Sequence, residues 1–242
     1  MAAASDAVPE PPWRTPRKVA PARRQLSREV IVEAALQVLR AEGIDAVSMR
    51  RVAAELGTGA ASLYAHVANK DELLDLVFDE VVGEVPIPEP DPRRWREQVT
   101  QLWKDSHAAL ARHGDIATVA LGTVPLGPNA LRVSEATMAL LRLGGVPDQA
   151  VAWAVDVVGL FVAANAVEGA VRVDRQRAGR DPQRYVEQVG RYLSELPADR
   201  FPTMVALAPL MVGGGGEERF AFGLNLLVEG LAAQADRAAA SR

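Results

Sequence analysis

Apolar residues recur with a helical period along most of the chain. Val30/Ile31, Ala34/Ala35 and Val38/Leu39 return every four residues, which predicts an amphipathic helix that begins after the N-cap residue Ser27 and ends at Gly43. Glu29 in its first turn complements the helix dipole. A second helix is predicted from the N-cap Ser48 through Val52, Ala53 and Leu56 to Gly57, and a short third one over about Ala60–Ala65. Asn69 caps a fourth, with Glu72 placed for a reciprocal capping box and Leu73, Leu74, Val77 and Val81 on its apolar side. Pro86, Pro88, Pro90 and Pro92 end this run, because proline has no N–H to donate and its ring clashes with the preceding turn.

Helical patterning resumes over about Arg93–Arg112. A turn-rich patch with Gly122, Pro125, Gly127 and Pro128 follows, and then helices over about Asn129–Leu143 and Pro147–Val173. After a polar loop, Arg175–Asp181, a modest helix near Pro182–Leu196 leads into a Pro/Gly-rich segment that runs to Gly213–Gly216. The last helix, Glu217–Ala235, sets Phe220, Leu224, Leu227 and Leu231 on one face. There is no β alternation of any length and no internal repeat, so the fold class is all-α. Three units are expected: a flexible basic arm over residues 1–26, a three-helix unit with its connecting helix over 27–85, and a larger helical domain over 86–242.

Composition adds little until it is resolved along the chain. Of 242 residues, 49% are hydrophobic, enough for a substantial core, and none is cysteine, which removes disulfides, thiolate metal sites and cysteine nucleophiles and favours an intracellular, cytoplasmic setting. Met1–Ala22 carries charges and prolines without an apolar core, unlike a secretory signal. Val151–Val171 is apolar but contains Asp156, Asn165 and Glu168. A carboxylate at mid-bilayer costs roughly 3 kcal/mol, so the segment reads as a buried helix rather than a membrane span. The net charge of −4 hides an asymmetry: Arg14–Lys70 holds ten bases against five acids, whereas Asp71 onward holds 17 against 24. A basic quarter on an acidic body suits a modular DNA binder, since phosphate neutralisation is local, although a solvated surface shows the same asymmetry. In the arm, Arg14, Arg17, Lys18, Arg23 and Arg24 suit either a minor groove or a solubilising tail.

Two short helices joined at Gly57 by a turn of small residues follow helix-turn-helix grammar, in which the first helix braces and the second enters the major groove. The order of pieces around them is more specific. Glu42-Gly43, Ser48-Met49-Arg50-Arg51-Val52-Ala53, Leu56-Gly57 and above all Leu63-Tyr64-Ala65-His66-Val67 followed by Asn69-Lys70 closely resemble the DNA-binding domain of the tetracycline-repressor family, over about sixty consecutive residues. The resemblance implies a reading head built from Arg50, Gly59, Ala60, Ala61, Ser62, Tyr64, His66 and Lys70. Tyr64 and His66 offer a hydroxyl and an imidazole to phosphates, or else Tyr64 anchors a small core. Lys70 sits in the first turn of a helix with free N–H groups, and Arg50 suits a guanine edge or a phosphate. Gly59, Ala60 and Ala61 stand where many relatives carry larger polar residues, which shifts specificity toward thymine methyls, Arg50 and DNA shape.

A weaker resemblance extends to the C-terminal half, through Trp95, Leu121-Gly122-Thr123-Val124-Pro125, Val158-Gly159-Leu160-Phe161 and Phe220-Ala221-Phe222-Gly223-Leu224. It implies a homodimer built on the long helix and the last helix, and an effector pocket. Where tetracycline-binding members use a histidine and an arginine, this chain has Ala120 and Val124. Glu168 matches a carboxylate near their metal, but alone it makes a poor magnesium site. The expectation is therefore a mainly apolar effector, no metal and no cofactor, with a pocket drawn from Trp103, Ser106, Thr123, Val124, Val133, Thr137, Val155, Asp156 and Glu168. The expected partners are double-stranded palindromic operator DNA, this effector and a second copy of the chain, with no membrane. The competing reading is a constitutive DNA binder whose second domain only dimerises or docks a protein. An enzyme is not expected: His66, His107 and His113 have no metal spacing, His107 and His113 no acidic partner pattern, and no phosphate loop or nucleophile elbow is present.

Overall fold

The computed structural model describes residues 26–122, 124–179 and 181–241. The proposed arm over 1–26 and its five basic residues thus lie outside the described residues, apart from Leu26, and so does Thr123. Among the described residues there are eleven α-helices and no strand.

Helices α1 (Arg28–Glu42), α2 (Met49–Glu55), α3 (Ala60–Leu63) and α4 (Lys70–Gly83) form the first unit. Their starts are set locally. The Ser27 hydroxyl accepts from Val30 N, the Ser48 hydroxyl from Arg51 N and the Asn69 carboxamide from Glu72 N. Glu72 reaches back one residue further than a capping box requires and accepts from Ala68 N at 2.5 Å. Gly57, at φ 62°, turns the chain between α2 and α3, a conformation that disfavours any residue with a Cβ. Ile31, Ala35, Val38, Val47, Val52, Leu63, Val67, Leu73 and Val77 close the core between the four helices.

The second unit contains α5 (Trp95–Arg112), α6 (Ala117–Gly122), α7 (Pro128–Leu143), α8 (Asp148–Arg177), α9 (Pro182–Ser194), α10 (Pro202–Met211) and α11 (Gly216–Ala240). Two of these were not foreseen. Helix α6 lies where only a turn-rich patch was expected, and α10 lies in the Pro/Gly-rich stretch, with Pro202 in its first turn and Pro209 inside it. Helix α8 runs past Val173 to Arg177, which shortens the polar loop. Long and apolar enough to cross a membrane, it is packed here against α5, α6, α7 and α11.

On α11 the inward stripe is Phe220, Leu224, Val228, Ala232 and Ala235, while Leu227 and Leu231 are only half-buried. The opposite face exposes Phe222 (67%) and Leu226 (58%). The apolar surface available to a partner thus lies about half a turn from the one read from periodicity. Beside it, α8 exposes Trp153, Val157 and Leu160.

Helix α4 joins the two units. Its Asp79 is buried, and one carboxylate oxygen accepts from Ala130 N at 2.9 Å while the other accepts from Asn129 N and Asn129 Nδ2, both at 3.3 Å. These are the first N–H groups of α7, whose N-cap Gly127 has no side chain and whose first residue is proline. A side chain from α4 therefore caps α7. Gly127 makes this possible, since a Cβ there would overlap the Asp79 carboxylate.

Candidate DNA-reading face and effector cavity

Of the eight residues expected to meet DNA, six are exposed and two, Ala60 and His66, are half-buried. Arg50 is exposed at the second position of α2. Gly59 is the N-cap of α3, whose Ala61 and Ser62 are exposed and whose Ala60 is half-buried, with Leu63 turned inward as the anchor. Tyr64 follows, 54% exposed, so it is not a core anchor. Helix α3 ends at Leu63 rather than about Ala65, which leaves Tyr64, Ala65 and His66 in the turn that leads to α4. Lys70 is exposed at the first position of α4.

The turn is braced from α1. Arg28 donates from Nε and Nη2 to the His66 carbonyl, each at 3.4 Å, and pairs with Glu72 at 3.3 Å. Arg51 is committed internally, pairing with Glu42 at 2.6 Å and Glu55 at 2.8 Å, whereas the adjacent Arg50 pairs with no acid among the described residues.

A polar joint links this unit to the second one. His113, at the end of α5 and almost fully buried, accepts from Arg40 Nε at Nδ1 (3.3 Å) and donates from Nε2 to Glu84 (2.7 Å). This pattern needs the neutral Nε2–H tautomer. Glu84 also takes Arg112 at 2.6 Å. Burial pushes the Glu84 carboxyl up, but the Arg112 and His113 hydrogen bonds outweigh it and hold it below the usual carboxylate range. Asp115 accepts from Ile44 N, the residue after the Gly43 turn. His113 therefore does have an acidic partner, contrary to expectation; it is the C-cap residue of α4, 29 residues away in sequence.

Between the second unit and α4 lies a cavity of about 530 Å³, within the range of small-molecule sites. Helix α5 contributes Trp103, Ser106 and Leu110; α7 contributes Val133, Ser134 and Thr137; and α8 contributes Val155, Asp156 and Gly159. Val124 lies at its edge, in the loop after α6. Seven of the nine expected pocket residues thus share one wall system. Thr123 lies outside the described residues, and Glu168 is a correction. It does not line the cavity but pairs with Arg219 of α11 at 2.6 Å and with Arg172, one turn along α8, at 3.1 Å. Ala120 to Gly122, which the resemblance set in the pocket loop, line the cavity from α6, and one wall had no sequence signal: Phe78 and Val82 of α4. A Cβ added at Gly159 would meet nothing within 4 Å. Outside the cavity lining, His107 stacks on Phe220 with ring centroids 4.1 Å apart, and burial pushes its imidazole below the usual histidine value.

Comparison with known proteins agrees with this geometry. Residues 31–77 match the family described as bacterial regulatory proteins, tetR family, and residues 87–235 match the tetracyclin repressor-like C-terminal domain. The chain belongs to the tetracycline-repressor family. Among its relatives in that family is the HTH-type transcriptional repressor DrrR1 of Streptomyces coeruleorubidus, 34% identical over 85% of this chain and 77% of DrrR1. An HTH-type transcriptional regulator of Saccharopolyspora erythraea is 33% identical over 96% of this chain and 95% of its own. The crystal structure of ActR from Streptomyces coelicolor in complex with actinorhodin superposes with a TM-score of 0.80 at 46% identity, covering 87% of this chain and 97% of ActR. As a member of this family, the protein is an all-helical transcriptional regulator with an N-terminal helix-turn-helix.

Proposed function

We propose that the protein is a ligand-responsive transcriptional repressor that grips a palindromic operator as a homodimer in the cytoplasm and lets go when a small, mainly apolar molecule fills the cavity. Residues 27–85 would read DNA, and residues 86–242 would sense the effector and dimerise. One observation carries this reading: α4 belongs to both sites. Its Leu73 and Val77 sit in the core behind the reading head, while its Phe78 and Val82 form a cavity wall. A ligand that wedges between α4 and α7 therefore displaces the helix whose first residue, Lys70, faces DNA. Two heads that must enter successive major grooves tolerate little change in separation, so a small tilt of α4 in each subunit weakens the grip.

Dimerisation is supported by the apolar face that α8 and α11 present together, with Trp153, Val157, Leu160, Phe222 and Leu226 on the outside. The ligand-bound ActR structures support a small molecule rather than a docked protein as the occupant of the second domain. Ala120 and Val124 offer no metal ligand at the cavity, which supports release that does not need magnesium.

The test is operator release, followed by fluorescence anisotropy, against a panel of polycyclic aromatic compounds with and without a chelator. At least one compound should lower operator affinity equally in both conditions, and Trp103→Ala should weaken that compound's binding while leaving operator affinity of the free protein nearly intact. Joint loss of both functions in Trp103→Ala would make it a core support, and a strict magnesium requirement would refute the metal-free reading.

A further inference from the structure

The cavity has an uneven polar inventory. Asp156 is the only charged residue on the described walls, which include no lysine, arginine or histidine. None of the ion pairs or hydrogen bonds among the described residues involves its carboxylate, whereas the neighbouring acid on α8, Glu168, is held by two arginines. Helical phase puts Asp156 between the cavity face of α8 (Ala152, Val155, Gly159) and its outward face (Trp153, Val157), so it is exposed to water at the rim of a mostly apolar pocket.

Across the cavity, Thr137 of α7 is 3% exposed, and its hydroxyl has no hydrogen-bond partner among the described residues. No buried side-chain oxygen there goes unpaired, so this hydroxyl is not sealed in the core but opens on the cavity, where it can meet whatever fills it. Ser106 differs: its hydroxyl already donates to the Leu102 carbonyl at 2.8 Å, which leaves it a lone pair to offer.

We infer that the effector is an amine-bearing aromatic molecule, whose apolar body lies against Trp103 and Phe78 and whose ammonium is met by Asp156. This rests on the proposed effector role of the cavity and narrows it to one charge class. An anionic molecule of the same shape would bring its charge beside an unpaired carboxylate with no cation on the described walls to compensate, and a neutral one would gain nothing from Asp156, which keeps its water at the rim. Thr137 serves either charge class, since a hydroxyl both donates and accepts; it adds affinity and Asp156 adds choice.

The experiment uses the full chain without DNA and two probes that share a ring system, anthracenemethylamine and anthracenecarboxylate, followed by calorimetry and by probe anisotropy. The amine should bind about tenfold more tightly than the carboxylate. Asp156→Asn should bring the two within about twofold of each other, whereas Thr137→Val should weaken both severalfold and keep their ratio. Equal affinities in the native protein, a preference for the carboxylate, or an amine preference that survives Asp156→Asn would overturn the inference and leave the cavity as an effector site. If neither probe binds the native protein, the inference falls together with the cavity reading beneath it.

Discussion

Replacing Asp79 with alanine tests the link between the two units. The substitution removes the acceptor of Ala130 N at 2.9 Å and of Asn129 N at 3.3 Å, and Gly127, the N-cap residue, has no side chain to take over. Loss of an N-cap costs about 1 kcal/mol on average, and hydrogen bonds to a charged acceptor contribute about 1.5–3 kcal/mol when the donors end up buried. Water can reach part of the vacated space, so the sum falls short of both extremes, and an expected loss of about 2–3 kcal/mol follows. Against a typical stability of about 5–15 kcal/mol this is large. Urea unfolding should show a lower midpoint at an unchanged slope. Asp79→Asn keeps one oxygen acceptor and should lose about half as much. Gly127→Ala should approach the alanine variant without touching any charge, because its methyl displaces the carboxylate. A loss below about 0.5 kcal/mol for Asp79→Ala would show that α7 starts equally well without α4, and the mechanical argument for α4 would lose its anchor.

Lys70→Ala should weaken operator and random DNA alike and flatten the salt dependence by about one unit of slope, whereas Arg50→Ala should cost about 1–3 kcal/mol on the operator alone; titrations at several salt concentrations separate the two. Leu226→Glu should convert a dimer to monomer or aggregate in sedimentation, since it puts a charge on the exposed apolar face of α11, while a normal dimer would move the interface elsewhere. Burial lowers the His107 pKa, so the folded state binds a proton less readily than the unfolded chain. Stability from this source is therefore complete above the unfolded histidine value of about 6.5 and is lost as pH falls through and below it. His107→Phe, which keeps the stack on Phe220, should make unfolding midpoints less dependent on pH between about 7 and 5, and an unchanged profile would contradict the burial argument.

The first unit was legible because its information is local. Ser27, Ser48 and Asn69 act on backbone within three residues of themselves, and Gly43 and Gly57 stop helices by their own φ. The second unit was legible only where a helix has a strong stripe. Helix α6 is six residues long, too short to display a period, and α10 breaks its own pattern with Pro209. The role of Asp79 had no sequence signal, since an acid next to Glu80 and one turn from Asp75 looks like any solvated one until Gly127 closes over it. Glu168 is the opposite case: Arg172, one turn along the same helix, is a local ion-pair partner that the sequence displays, whereas Arg219 comes from α11 and has no local signal.

Gly159 gives the cavity a history as well as a shape. A side chain there would grow into empty space, and alanine in place of glycine would favour the helix by about 1 kcal/mol. Changes at this position should narrow the range of admitted molecules without costing the fold, so one codon offers a route along which descendants of this regulator can trade one inducer for another while keeping the same operator.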